Sequence, residues 1–288
     1  MKAERLTETI AYHGEGPVWW PALQRLRMVD MLHGDILTID PARPDDVVRT
    51  SVGSPIASVI RPRTGGGAIV ATESGISLAS AEDLSDLTPA VQLFHNGGLR
   101  TNEGGCDPQG RFYVGTMAYA RTEGAASVYR WDGPGSEAAT LFGDVTTSNG
   151  LGWSPDGTRA YYIDTATLTV AAFDHDPITG LGERRPWVQI DPDDGRPDGL
   201  VVDAEGGVWV ALNKGSAVHR YAPDGSLSEV VEVPVRQVTA CTFGGADLAQ
   251  LFITTSREKL PEDAEPAAGS VYVVSPGVGG LEPLPFRA

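Results

Sequence analysis

The chain has 288 residues, with 22 Lys and Arg against 38 Asp and Glu, giving a formal net charge of −16. A balance so acidic argues against nucleic acid and anionic membrane surfaces as partners, and no run approaches the roughly 18 unbroken apolar residues of a membrane span. Apolar residues at 41% suffice for a continuous core, and all-β folds of this length often form one unit, so a single domain over 1–288 is expected.

The chain opens on MKAERLTETIAY, where Lys2, Glu4 and Arg5 leave no apolar h-region. The segment does not read as a secretion signal, and a cytoplasmic protein is expected. From there one unit recurs: a small or polar start, a short apolar strand, a D-P-x-G-like turn, then a strand rich in aromatic and β-branched residues. The turns are plainest at Asp107-Pro108-Gln109-Gly110, Ser154-Pro155-Asp156-Gly157, Asp203-Ala204-Glu205-Gly206 and Ala222-Pro223-Asp224-Gly225. Proline presets φ and the closing glycine accepts a positive φ, which is hairpin chemistry. Phe112-Tyr113-Val114, Tyr161-Tyr162-Ile163 and Val208-Trp209-Val210 follow the first three turns and read as strands.

Taking the start of each unit as an anchor gives Glu15, Ala57, Asn102, Asn149, Asp198 and Thr239, at spacings of 42, 45, 47, 49 and 41 residues. Six such units of about four antiparallel strands predict an all-β fold, a six-bladed β-propeller; a helical solenoid would show a 3.6-residue apolar period. Closing the ring calls for a strand borrowed from the other terminus. Residues 4–11 are the candidate fourth strand of the last blade, whose other strands come from 237–286. Within that blade the acidic, Pro/Ala-rich segment 258–268 reads as an exposed loop. Cys106 and Cys241 show neither metal-ligand spacing nor a disulfide framework and fit buried thiols.

In a propeller the innermost strand of each blade begins near the mouth of the central channel, so the anchors converge there. Five of the six are polar, and Arg100 and Glu103 stand beside Asn102. Carboxylates gathered in a channel without partners repel one another, and a cation relieves that. Glu15, Asn149 and Asp198 offer two negative charges and one amide oxygen. This all-oxygen set suits one divalent cation, Ca²⁺ by preference, with Mg²⁺, Mn²⁺ or Zn²⁺ as alternatives. Any one of these residues alone could equally cap a turn; three at equivalent phase in different repeats favour a shared ligand. His13, two residues before Glu15, is either a channel residue or a packing or surface histidine.

The segments Gly14-Glu15-Gly16-Pro17-Val18-Trp19, Arg100-Thr101-Asn102-Glu103-Gly104-Gly105-Cys106-Asp107-Pro108, Gly115-Thr116-Met117, Ser148-Asn149-Gly150-Leu151, Pro197-Asp198-Gly199 and Cys241-Thr242-Phe243-Gly244-Gly245 resemble the senescence marker protein-30 / gluconolactonase / luciferin-regenerating-enzyme family. The similarity runs in order from about residue 10 to the C-terminus. It implies a six-bladed propeller that hydrolyses sugar lactones with a divalent cation. By this resemblance Glu15, Asn149 and Asp198 are the metal ligands, Asn102 lies near metal and substrate, and Arg100 binds substrate. Glu103 stands where relatives often have Asp and takes a lesser substrate role. After Gly115-Thr116-Met117 some relatives have acidic residues that bond sugar hydroxyls, whereas this chain has Ala118-Tyr119-Ala120. Tyr119 there offers substrate a hydroxyl or an apolar wall, or is a surface loop aromatic.

The expected activity is therefore a lactonase reaction, opening a small sugar lactone to its hydroxy acid with metal-activated water and with Asp198 as general base. Two rival readings stay open. The same water would attack other electrophiles, as in a metal-dependent esterase or organophosphate hydrolase, and a non-catalytic binding propeller would use the metal only to tie its blades. The chain has no G-x-S-x-G elbow, H-E-x-x-H or P-loop. The expected partner is a small-molecule lactone, and the expected state a monomer or small homo-oligomer.

Overall fold

The computed structural model describes every residue of the chain except 96 and 262. Six antiparallel sheets stand in a ring as the blades of a β-propeller, in chain order except for one borrowed strand. In blade 1 the strands run outward as Gly14–Trp20, Arg25–Asp30, Asp35–Asp40 and Arg43–Ser51. The second strands explain the recurring aromatic and β-branched runs. Phe112–Ala118 and Val208–Asn213 are enclosed on both faces, whereas the outermost strands, such as Arg43–Ser51, are largely exposed and polar. Among the described residues the helical content is two short 3₁₀ turns, Met31–His33 and Thr165–Thr167, and no helix is long and apolar enough to cross a membrane.

The inner strands are Gly14–Trp20, Ala57–Pro62, Leu99–Cys106, Ser148–Trp153, Arg196–Val202 and Val238–Gly244. Each touches the next around a closed ring. The core is divided accordingly: one apolar cluster fills each gap between neighbouring blades. Ile60 and Val70 of blade 2 meet Val18 and Trp20 of blade 1, and Phe112 and Trp131 of blade 3 meet Val59 and Ile69 of blade 2. A blade alone would leave both of its faces wet, so the ring stabilises itself only when complete. Cys106 and Cys241 are buried with free thiols.

Closure occurs as the sequence suggests, by a shorter strand. Glu4–Arg5 pairs with Tyr272–Val274 to complete blade 6. Beyond Arg5 the ladder stops because the Thr7 hydroxyl takes the Val271 N–H at 3.0 Å. Further out, the N–H of Ala3 donates to the Glu232 carbonyl at 2.9 Å, so the same terminus also clips blade 5. The opposite terminus departs from expectation. Regular strand in blade 6 ends at Val274 rather than near 286, since Pro276, Pro283 and Pro285 cannot donate to a ladder. The tail crosses under the ring instead. Phe286 is fully buried, stacks on Trp131 with ring centres 5.3 Å apart, and donates its N–H to the Pro62 carbonyl at 2.8 Å.

Candidate active site

All six inner strands carry an extra residue where the anchors lie. Register breaks between Glu15 and Val18, Ala57 and Val59, Thr101 and Gly104, Ser148 and Leu151, Pro197 and Leu200, and Val238 and Ala240. A bulge frees a residue from the ladder and re-aims its side chain. Repeated around the ring, it accompanies four anchor side chains, those of Glu15, Asn102, Asn149 and Asp198, that line the channel mouth. Two of the glycines that follow anchors have no room for a side chain. A Cβ on Gly150 would lie 2.6 Å from the Leu200 nitrogen, and one on Gly199 would lie 2.5 Å from Ala240 Cβ.

One end of the channel opens into a cavity of about 630 Å³ whose lining includes Glu15, Arg100, Asn102, Asn149 and Asp198. None of these five is more than 7% exposed. His13 lines it too, with Nδ1 2.7 Å from the Ser256 hydroxyl; burial and the nearby Arg100 push its pKa down, so the ring is neutral at neutral pH. Glu103 and Tyr119 are not among the lining residues. Glu103 faces a smaller cavity of about 120 Å³ toward the other end of the channel, where its Oε2 has no hydrogen-bond partner. Tyr119 is half-exposed, and its hydroxyl donates to Glu73 at 2.5 Å.

The side chains hold one another across blades. Arg100 Nη1 donates to Asn102 Oδ1 at 2.6 Å, and Asn102 Nδ2 donates to the Ser148 carbonyl at 2.6 Å and to Asn149 Oδ1 at 3.2 Å. Asn149 Nδ2 donates to the Thr165 hydroxyl at 2.7 Å, and that hydroxyl donates to the Pro197 carbonyl at 2.8 Å. The amide nitrogen of Asn149 is thereby turned away, with Oδ1 on the side of Asn102. Asn213 Nδ2 donates to Asp198 Oδ2 at 3.1 Å. Thr239, the sixth anchor, donates its hydroxyl to the Gly14 carbonyl at 2.6 Å and so ties blade 6 to blade 1.

Burial raises the pKa of Glu15 well above the usual carboxylate range, and the nearby charges of Asp198 and Glu103 push the same way. Burial also raises Asp198, against the opposing pull of Asn213, Arg121, Asn149 and Arg100. Two such groups at one floor stay ionised together only with a compensating positive charge. Among the described residues no three His, Cys, Asp or Glu side chains gather closely enough to hold a metal by themselves. The donors present, two carboxylates with an oriented amide oxygen between inner strands, nevertheless fit a hard oxygen-seeking dication with water completing its shell.

Sequence reasoning missed Asn213 and Thr165, and also the part of 258–268 that turns inward: Glu258, Lys259 and Leu260 line the cavity. A signal existed for Asn213. Second strands tend to end on polar residues, and Asp30, Asp164 and Asn213 stand opposite Gly14, Ser148 and Arg196 at the starts of the inner strands.

The fold and this site define a six-bladed propeller with an oxygen-rich, doubly acidic pocket at one mouth of its channel. The chain belongs to the SMP-30/Gluconolactonase/LRE-like family, whose model matches residues 13–257. It is 33% identical to the protein named "Putative sugar lactone lactonase YvrE" of Bacillus subtilis (strain 168), across 99% of each chain. It is 34% identical to regucalcin of Xenopus laevis, across 95% of this chain and 94% of the relative. Among solved structures, regucalcin from Agrobacterium tumefaciens str. C58, described as a calcium-binding protein, superposes with a TM-score of 0.92 at 28% identity, covering 100% of this chain and 98% of the other.

Proposed function

We propose that the protein hydrolyses a sugar lactone to its hydroxy acid, with a divalent cation held by Glu15, Asn149 and Asp198. The observation that carries the reading is the meeting of Glu15 and Asp198, both buried, with Asn149 and Arg100 at the floor of one ligand-sized cavity. The names borne by relatives, a sugar lactone lactonase and a calcium-binding regucalcin, support it.

When bound, the cation would polarise the lactone carbonyl and acidify a water. Asp198 accepts the proton of the attacking water as oxygen adds to the carbonyl carbon. The ring C–O bond then breaks, the departing ring oxygen takes the proton held by Asp198, and the new carboxyl group loses its own proton to solvent, so the product leaves as a carboxylate with a free hydroxyl. Arg100 uses Nη1 for each of its described acceptors, the Asn102 and Thr101 oxygens and Met31 Sδ, which leaves its other nitrogens to donate to the negative charge that develops on the carbonyl oxygen. Asn102, whose amide is committed to Arg100, Asn149 and Ser148, positions these groups.

Replacing Asp198 by Asn preserves its shape and its contact with Asn213 but removes the base. Lactone turnover is expected to fall at least roughly 10²-fold in a protein whose circular dichroism is unchanged. An Asp198→Asn variant with near-native turnover would exclude Asp198 from the mechanism.

A further inference from the structure

For a chain of net charge −16, the cavity is lined against type. Six of the 22 Lys and Arg residues line it: buried Arg100, and Arg121, Arg196, Lys214, Arg236 and Lys259, which are exposed at its rim. The acids lining it are Glu15 and Asp198 at the floor and Glu258, which pairs with Lys259 at 3.0 Å. Among the described residues Arg121, Arg196, Lys214 and Arg236 form no salt bridge, while most other exposed cations of the molecule do, as Arg43, Arg49 and Arg185 show.

Their positions argue for purpose. Arg196 opens the inner strand of blade 5, and Lys214 follows that blade's second strand. Arg236 precedes the inner strand of blade 6, and Lys259 follows its second strand. Four cations thus crowd two adjacent blades, and Arg121 reaches in from blade 3, on the opposite side of the ring. Arg121, Lys214 and Lys259 also take left-handed backbone conformations, with φ of 53°, 68° and 60°. Side chains other than Gly, Asn and Asp are uncommon there; at the corresponding loop blade 1 uses glycine, Gly34, and blade 4 uses Leu168. Unpaired like charges around one enclosed space repel one another unless a ligand of opposite sign neutralises them. In a molecule that repels anions overall, a positive mouth is also what admits one.

We infer that the substrate is an anionic lactone, a sugar-acid lactone bearing a second acidic group, carboxylate or phosphate, away from the reacting carbonyl. The inference rests on the lactonase reading. The lactone carbonyl lies at the floor near Arg100, and the remote anionic group is received by Arg196, Lys214, Arg236 and Lys259. The enclosed volume selects a small molecule rather than a polymer.

The test compares the metal-loaded enzyme on three lactones at fixed ionic strength: neutral gluconolactone, carboxylated glucarolactone and 6-phosphogluconolactone. Dissociation constants of the three product acids are measured alongside by calorimetry. The expected result is a kcat/KM at least about tenfold higher for one or both anionic lactones than for the neutral one. That advantage shrinks as salt rises past about 0.1 M and is lost in the triple variant Arg196→Gln, Lys214→Gln, Arg236→Gln, whose exposed positions leave the fold intact. Preference between the carboxylate and phosphate arms names the group. Equal or better turnover of the neutral lactone overturns the inference and leaves the lactonase reading standing. If no lactone is opened, the lactonase reading fails, and calorimetry decides the anion preference alone: tighter binding of glucarate or 6-phosphogluconate than of gluconate, abolished in the triple variant, upholds it, and equal binding of all three overturns it.

Discussion

At the scale of single residues, the protein divides its buried carboxylates into those that are satisfied and those that are not. Asp30 is of the first kind. It accepts the N–H groups of Tyr12 and His13 and contacts His33 at 2.9 Å and Arg49 at 3.0 Å. Burial alone would raise its pKa, but these donors outweigh it and hold the group below the usual carboxylate value. A depressed folded-state pKa stabilises the fold above the unfolded value near 3.9, and that contribution fades as pH falls through the folded one. Asp30→Asn is therefore expected to lose roughly 1–3 kcal/mol in urea unfolding at pH 7 and progressively less below about pH 4. A penalty independent of pH would show that shape rather than charge matters. Glu15 and Asp198 are of the second kind: burial pushes both up, with the charges of Asp198 and Glu103 adding to it at Glu15 and against the pull of Asn213, Arg121, Asn149 and Arg100 at Asp198, as the proposed cation site requires.

At the scale of elements, the inner strand with its bulge is the device that builds the site. Its close packing makes Gly199 a sensitive position, since an added Cβ would lie 2.5 Å from Ala240 Cβ and 2.8 Å from Ala240 Cα. Gly199→Ala is expected to cost about 1–3 kcal/mol by thermal unfolding and to lower activity as well, because the displaced strand carries Asp198. Unchanged stability would mean that blades 5 and 6 have more slack than the packing indicates. The six units and their anchors were legible in the sequence because turn chemistry and apolar runs repeat with the blade. All six anchors lie at the bulged starts of the inner strands, and Glu15, Asn102, Asn149 and Asp198 face one cavity. What was not legible depends on partners far apart in the chain. Glu103, next to Asn102 within the same bulge, lines the other cavity instead, because the bulge re-aims its residues individually and no regular alternation predicts where each points. The cationic rim was invisible because its members come from blades 3, 5 and 6 with no common motif.

At the scale of the molecule, closure couples the two termini to the stability of the whole. Residues 1–7 complete blade 6, clip blade 5 through Ala3, and are bonded to Val271 through Leu6. Deleting them removes several backbone hydrogen bonds of about 1 kcal/mol each and opens the edge at Tyr272–Val274. The truncated chain is expected to unfold at lower urea concentration and to aggregate through that edge, as read by light scattering; unaltered stability would mean that the ring closes without its borrowed strand. The inner ring, the bulges and the cavity all bear on one claim, that this mouth of the channel is a metal-assisted lactone hydrolase site. Its most direct test is proton release from sugar lactones by chelator-treated protein, with and without added Ca²⁺, Mg²⁺, Mn²⁺ or Zn²⁺, after subtraction of spontaneous hydrolysis. Turnover that is absent without metal, restored by one of these cations and lost in Asp198→Asn is the predicted result. Turnover that persists undiminished in the chelated protein, or none in protein shown by calorimetry to have bound the cation, would contradict it.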